Sequence, residues 1–384
     1  MTRLRRALNG IAEEAPMVDL ADLALAGHRR RRRVTALLAA ATVATMVAGA
    51  TTATVTSIRS HGVAAAWRTE AAAAPLRSHD AAATPQTEAA VPDLPGGRVG
   101  PLAYAYRTPC DVDRERKTID CAAVEWRVVT RAGTTYRLPQ ALALNDQERR
   151  VPVAISRDGR MLAYYSRQAQ AHVVRDLVDG SQVTSPVTVK EERIGIGSML
   201  VVSDDGRHVV FDPREGSKEP GLLIDMRTGK TVRIPGEYEP VSIKDGIAEL
   251  VRYVKTDLWL MPVTGGGRPV RFAGAYITFS ELAPDGRTVA AAEMKDLQKQ
   301  KLSLLDTAGG RAPRKVAVRG LPEKAGVIAT GPWRSGSELT LFALHGKGTH
   351  VYSVDIGTGR ARRLADYPPG KPGGFLVLPG VASG

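Results

Sequence analysis

From about residue 94 onward, short apolar runs alternate with glycine-containing turns, and apolar positions do not recur at helical spacing. The polar stretch "MKDLQKQK" is the one exception, and it reads as a long hairpin loop. The runs fall into two kinds of hairpin. The first kind appears as "ISRDGRMLAYYS", "VSDDGRHVVFD", "VSIKDGIAELVRY" and "LAPDGRTVAAAE". Its Asp-Gly pairs are Asp158-Gly159, Asp205-Gly206, Asp245-Gly246 and Asp285-Gly286, spaced by 47, 40 and 40 residues. Asp bonds to nearby backbone and Gly accepts positive φ, so each pair predicts a tight turn between two strands. Two degenerate copies flank them, "PGGRVGPLAYAYR" and "WRSGSELTLFAL".

The second kind interleaves with the first: "EWRVVTRAGTTYRLP", "HVVRDLVDGSQVTSP", "GLLIDMRTGKTVRIP", "DLWLMPVTGGGRPVRFA", "KLSLLDTAGGRAPRKVA" and "HVYSVDIGTGRARRLA". Each is an apolar run, a Gly turn and a shorter alternating run. One hairpin of each kind makes four strands at roughly 40–50 residues per unit, the period of a propeller blade. A lone four-stranded sheet exposes two faces and two edges. Radial packing buries both faces and leaves only short edges. The expected fold is therefore all-β, a six-bladed β-propeller of four-stranded blades.

The first unit lacks an inner strand. "EAAVPDLP" before Gly96 is polar and carries two prolines, which suits a central strand poorly. An apolar run without a partner of its own, Phe375 to Leu378, lies near the other end. The expectation is that it supplies the missing strand and fastens the ring.

The preceding residues have another character. Val34 to Ser57 carries no charge, a length that can span a bilayer as a helix. Arg29, Arg30, Arg31, Arg32 and Arg33 stand before it, so the positive-inside rule puts the N-terminus in the cytoplasm. The expected organisation is a basic cytoplasmic tail over 1–33, a transmembrane helix over 34–57, a disordered Ala/Pro-rich tether over 58–93 and an extracytoplasmic propeller over 94–384. Cleavage of a signal peptide at "GATTA" or "GVAAA", giving a secreted protein, is the alternative. In the tail, Leu4, Leu8 and Ile11 share one helical face, and Leu20, Leu23 and Ala24 another, with Pro16 between them. These runs orient insertion or dock a cytoplasmic partner.

The repeats, above all "LLIDMRTGKTVRIP" and the Asp-Gly-Arg turns, resemble TolB-type, WD-repeat-like propellers, over about three quarters of the chain. The Trp-Asp dipeptide of true WD repeats is missing. The Ala/Arg-rich composition and N-terminal span also resemble membrane-anchored actinobacterial propellers. That resemblance implies a ring displayed outside the membrane.

Composition changes this picture little. Among 384 residues, 43% are hydrophobic and 24% charged, an ordinary globular balance. The net charge of +13 comes from the Arg29–Arg33 run and from scattered turn arginines, a solvated rim and not a nucleic-acid footprint. Cys110 and Cys121 flank the charged "DVDRERKTID" in the first unit. An even cysteine count outside the membrane predicts a disulfide at the base of a hairpin loop, contributing roughly 2–3 kcal/mol. No histidine lies in that segment to make the pair a metal site.

Chemistry-bearing motifs are missing. There is no Gly-x-Ser-x-Gly elbow and no His-Glu-x-x-His pair. "TGGGRPVRF" leads into a strand, without the helix N-terminus of a phosphate loop. His345 and His350 frame a solvated glycine-rich hairpin. No catalytic, metal-binding or cofactor-binding residue is assigned, and no cofactor is expected. The expected function is a binding, sensing or scaffolding module, with a monomeric ectodomain, for a protein, peptide or cell-envelope ligand. The alternatives are a hydrolase or lyase using the central channel, and a transmembrane regulator whose tail holds a partner such as a sigma factor.

Overall fold

The computed structural model describes residues 91–113, 115–253, 256–346, 348–367 and 375–383. The tail, the 34–57 span with Arg29–Arg33, and the tether up to residue 90 lie outside the described residues. Among the described residues no helix is long and apolar enough to cross a membrane.

The strands form six four-stranded antiparallel sheets, the blades of a propeller. Four blades are built entirely from successive strands between Val153 and Ala317. Blade 2 runs from Val153–Ile155 to Gln182–Thr188, blade 3 from Met199–Val202 to Thr231–Ile234, and blade 4 from Glu239–Lys244 to Val270–Arg271. Blade 5 runs from Tyr276–Phe279 to Arg311–Ala317. Blade 6 follows with Gly326–Trp333, Glu338–His345, Gly348–Asp355 and Ala361–Tyr367. Its middle two strands pair as far as His345 with Gly348. In blade 5 the polar stretch between the middle strands is more ordered than a plain loop. Met294–Lys299 makes a short 3-10 helix, held where Lys315 Nζ reaches the Glu293 and Asp296 carboxylates.

Blade 1 is assembled from both ends of the described residues. Leu102–Arg107, Trp126–Thr130 and Thr135–Arg137 are its middle and outer strands. Phe375–Val377 pairs antiparallel with Leu102–Arg107, matching Ala105 to Val377 and Arg107 to Phe375, and is the inner strand. The proline-containing segment before Gly96 lies at the opposite edge, where Asp93 bridges to Arg137. A strand edge tolerates proline because its outward N–H groups need no ladder partner.

The core is six interblade layers. Blades 1 and 2 bury Leu102, Trp126 and Val128 against Val153, Leu162 and Val173. Blades 2 and 3 bury Ala163 and Val174 against Leu200, Val209 and Phe211. Blades 3 and 4 bury Val210 and Leu223 against Leu250 and Met261. Consecutive residues Val209 and Val210 thus enter different layers, because side chains alternate across a strand. Both sheet faces being buried, the strands read as continuous apolar runs and not as an apolar/polar alternation. Each such aliphatic side chain, fully buried, contributes roughly 1.5–3 kcal/mol.

Candidate functional site

The Asp-Gly pairs join the inner two strands of blades 2 to 5, all on one face of the ring. Asp158 accepts hydrogen bonds from Ser156 Oγ (2.6 Å) and the Arg160 amide (2.9 Å). Asp205 does the same with Ser203 Oγ (2.6 Å) and the Arg207 amide (3.0 Å). Asp285 binds the Arg287 and Thr288 amides, each at 2.8 Å. In blade 4, Lys244 pairs with Ile247 across a two-residue hairpin in which Asp245 (φ 49°) and Gly246 (φ 75°) are both left-handed. The arginines after these turns are more than a solvated rim. Arg160, Arg207 and Arg287 reach the third strand of their own blade and bond Asp176, Asp225 and Asp306. Despite the desolvation of its setting, Asp225 is held down to about 2 by the Thr228 and Arg227 amides and the Arg207 guanidinium. In blades 2, 3 and 5 the motif is thus an internal clasp of the blade.

Two features of this face had no local motif. The first is the chain along the channel wall. After the inner strand of blade 1, the chain turns at Gly380 (φ 68°), which is wedged between Pro332 and Arg157. A Cβ there would strike Pro332, so the close approach and the positive φ both call for glycine. Residues 380–383 then run along the channel-facing edges of blades 2 and 3. The Gly380 amide bonds Ile155 O (2.9 Å), Ser383 Oγ bonds Val153 O, and Ser383 bridges to Leu200.

The second is a ring of charges at the channel mouth, drawn from four different blades. Arg157 of blade 2 bonds Asp204 of blade 3 (3.1 Å) and reaches across to Glu281 of blade 5 (3.4 Å). Glu281 also accepts the Trp333 amide of blade 6 (3.0 Å) and lies 3.7 Å from Lys244 of blade 4. Burial pushes the Glu281 carboxyl up, while Lys244, Arg157 and the Trp333 amide pull it down. Beside this network a cavity of about 160 Å³ opens between the inner turns of blades 4 and 5. Glu249 lines it, buried at 1% exposure. Ser242 Oγ donates to its Oε2 (3.1 Å), and Oε1 has no hydrogen-bond partner. Burial pushes this carboxyl up to about 8. The sequence did carry a trace of Glu249, an acidic residue inside the apolar strand "IAELVR". Its environment and the convergence on Glu281 had none.

On the opposite face, Cys110 and Cys121 form a disulfide with Cα atoms 4.3 Å apart. It closes the base of a two-stranded ribbon, Asp111–Asp113 with Thr118–Asp120. Val112 and Ile119 are directly paired across the ribbon and stand 56% and 65% exposed. His345 and His350 lie 6.2 Å apart, centroid to centroid, and His350 Nδ1 contacts Asp366 (2.7 Å). Among the described residues, no three His, Cys, Asp or Glu side chains gather as a metal-ligating group.

No family model matches the chain, and no curated relative matches it. Solved propellers resemble it in fold. A streptogramin B lyase is 10% identical, with a TM-score of 0.43 over 74% of this chain and 94% of that one. The Cps50 (Swd1) propeller domain of Myceliophteria thermophila is 14% identical, with a TM-score of 0.36 over 56% of this chain and 70% of that one. A dihydro-heme d1 dehydrogenase, NirN, is 16% identical, with a TM-score of 0.36 over 72% of this chain. The chain spans only 55% of the length of that dehydrogenase. The likeness is one of architecture alone.

Proposed function

We propose that this protein is a binding module, a TolB-like ring held outside the membrane by its 34–57 span, and that its ligand is another protein. The observation that carries this reading is the ribbon. Val112 and Ile119 form an exposed apolar pair on a projection braced by a disulfide. Water-exposed apolar side chains fixed in place lose little conformational entropy when a partner covers them. The run of residues 380–383 along the channel wall also favours surface recognition over chemistry in the channel.

A photo-crosslinking residue placed at Val112 or Ile119 of the full chain, in its own membrane, tests the reading. A discrete heteromeric product is expected from both positions and none from Val183, an equally apolar exposed residue on the outer strand of blade 2. Equal yields at all three positions, or none at the ribbon, would remove the proposal. The membrane part is tested by mass spectrometry of the extracted protein, for which a mature N-terminus between Thr51 and Ala66 is the contrary result.

A further inference from the structure

The cavity between blades 4 and 5 lies away from the ribbon, and its role stands or falls independently of the reading above. Three observations meet there. Glu249 is almost wholly buried where it lines the cavity, and its Oε1 has no hydrogen-bond partner. Buried carboxylate oxygens are costly unless a donor satisfies them. The donors nearby are already committed: Ser242 Oγ bonds Oε2, the Leu282 amide already acts on the same carboxyl, and Lys244 Nζ bonds Leu282 O (3.1 Å) while facing Glu281.

The second observation is charge. Lys244 and Asp245 from blade 4 and Glu281 from blade 5 surround Glu249, with Arg157 and Asp204 beyond Glu281. When all are ionised, four carboxylates stand against two cations. The third is shape. The cavity opens to solvent between the exposed turn residues Asp245 and Pro284, and Ile247, Leu282 and Ala283 supply apolar walls. A dry cavity of about 150 Å³ is large enough for benzene, so this one has room for a ligand of about five or six heavy atoms.

We propose that this cavity binds a primary alkylammonium ion, its N–H groups donating to Glu249 Oε1 and Ser242 Oγ and its short carbon chain lying along Ile247 and Leu282. A bare metal ion suits the site poorly, since the described residues provide no cluster of three ligands and one wall is hydrocarbon. An ammonium group supplies the missing donor and the missing positive charge together.

Binding is coupled to a proton. Burial, reinforced by Glu281 and opposed by the Ser242 hydroxyl, the Leu282 amide and Lys244, sets the free Glu249 carboxyl at about 8. It is therefore mostly protonated at pH 7, and the incoming R–NH₃⁺ replaces the carboxyl proton, which leaves to solvent. No covalent bond to carbon changes.

Isothermal titration of the full-length protein in detergent, with n-butylammonium chloride as probe, tests this. One-to-one binding is expected, about tenfold tighter at pH 9 than at pH 7, because the ionised fraction of Glu249 rises about tenfold across a pKa of 8. The probe itself, with a pKa near that of lysine at about 10.4, stays charged throughout. Titration at pH 7 in buffers of different ionisation enthalpy should show about one proton released. n-Butanol should bind at least tenfold more weakly. Glu249→Gln should abolish both the binding and the proton release, and Ser242→Ala should weaken binding with the proton release retained. Circular dichroism verifies that each variant is folded, and Ser242→Ala serves if Glu249→Gln is not. Butanol binding as tightly as butylammonium, potassium chloride saturating the site, an affinity independent of pH, or no saturable heat would each overturn the proposal.

Discussion

On the side facing blade 2, blade 1 contributes Leu102, Trp126, Val128 and Val377 to a deeply buried layer. That junction is also tied through backbone, with the Leu102 amide on Gly159 O (2.8 Å) and the Val99 and Gly100 amides both on Leu177 O. On the side facing blade 6 the layer is thinner. Among the described residues only Phe342, Val351 and Leu378 are buried there, with Tyr104, Leu364, Tyr367 and Leu376 partly covered. Tyr104 and Tyr367 meet edge to face, ring centroids 5.2 Å apart. The two sides of one blade therefore differ in strength for a topological reason. Val377 apart, the 1–2 junction joins segments near in sequence, whereas the 6–1 seam sets Leu102–Arg107 against blade 6, which begins at Gly326 after about 220 residues of intervening chain. Closing so long a loop costs only slightly more entropy than closing a short one. What the seam lacks is buried area, and it is where the ring should open first.

Removing the closing strand breaks the comparison outright. Deletion of residues 373–384 exposes the inner edge of Leu102–Arg107 and removes residues 380–383 from the channel wall. Loss of soluble protein, or a melting temperature lower by more than about 10 °C, is expected. Deletion of the residues before Val91 should leave the melt unchanged. A truncated ring that melts with the intact one would show that the seam does not hold it.

Matched cavity variants sharpen the contrast. Leu102→Ala, at a fully buried position of the 1–2 junction, should cost about 3 kcal/mol. Leu376→Ala, on the partly covered seam, should cost about 1 kcal/mol, since less surface leaves water there. Urea titration of both variants measures the difference, and equal costs would mean that the seam is as well packed as the junction.

The 4–5 junction adds a third kind of layer, apolar but holding an ionisable group. Glu249 is pushed by burial from its ordinary range near 4.5 up to about 8. The native state therefore binds this proton more tightly than the unfolded chain. The stability so gained is complete below pH 4.5, falls as pH rises toward 8, and is fully lost above it. Glu249→Gln should raise the melting temperature by about 5 °C at pH 9 and change it little at pH 4. A gain independent of pH would refute the assignment.

Smaller effects are expected inside the blades. In the Arg207–Asp225 clasp two guanidinium N–H groups donate to one carboxylate oxygen, but the arginine is half exposed, so Arg207→Ala should cost about 0.5 kcal/mol. The ribbon disulfide should matter least to the ring. Because the bridge closes a separate ribbon, the roughly 2–3 kcal/mol expected for closing its loop does not reach the ring: once reduced, the ribbon can fray while the blades stay folded, and the ring's melting temperature should move by no more than about 1 °C. Crosslinking from Val112 should nevertheless fall, because the projection is no longer fixed. A large drop in the melt on reduction would mean that the ribbon is a structural part of blade 1.

Local physics made much of this molecule legible from its residues. Each Asp-Gly turn is encoded within five residues, because a short carboxylate and a glycine satisfy a turn without distant help. Recurrence at a fixed period then implied radial packing, and continuous apolar strands implied burial on both faces. The inner strand of blade 1 could be inferred by counting, since one unit lacked a strand and Phe375 to Leu378 lacked a partner. The cysteine pair could be inferred from the even cysteine count and the expected place of both outside the membrane. The interblade chemistry could not. Arg157, Asp204, Lys244 and Glu281 lie up to 124 residues apart and meet only because the inner ends of four blades converge on one axis. Gly380 reads as an ordinary turn glycine until Arg157 and Pro332 are seen on either side of it. Glu249 shows in sequence only as a polar residue in an apolar strand. Whether such a residue points to water, to a partner or into a cavity depends on the neighbouring blade, and that neighbour is placed by closure of the whole ring, not by the residues beside it in the chain.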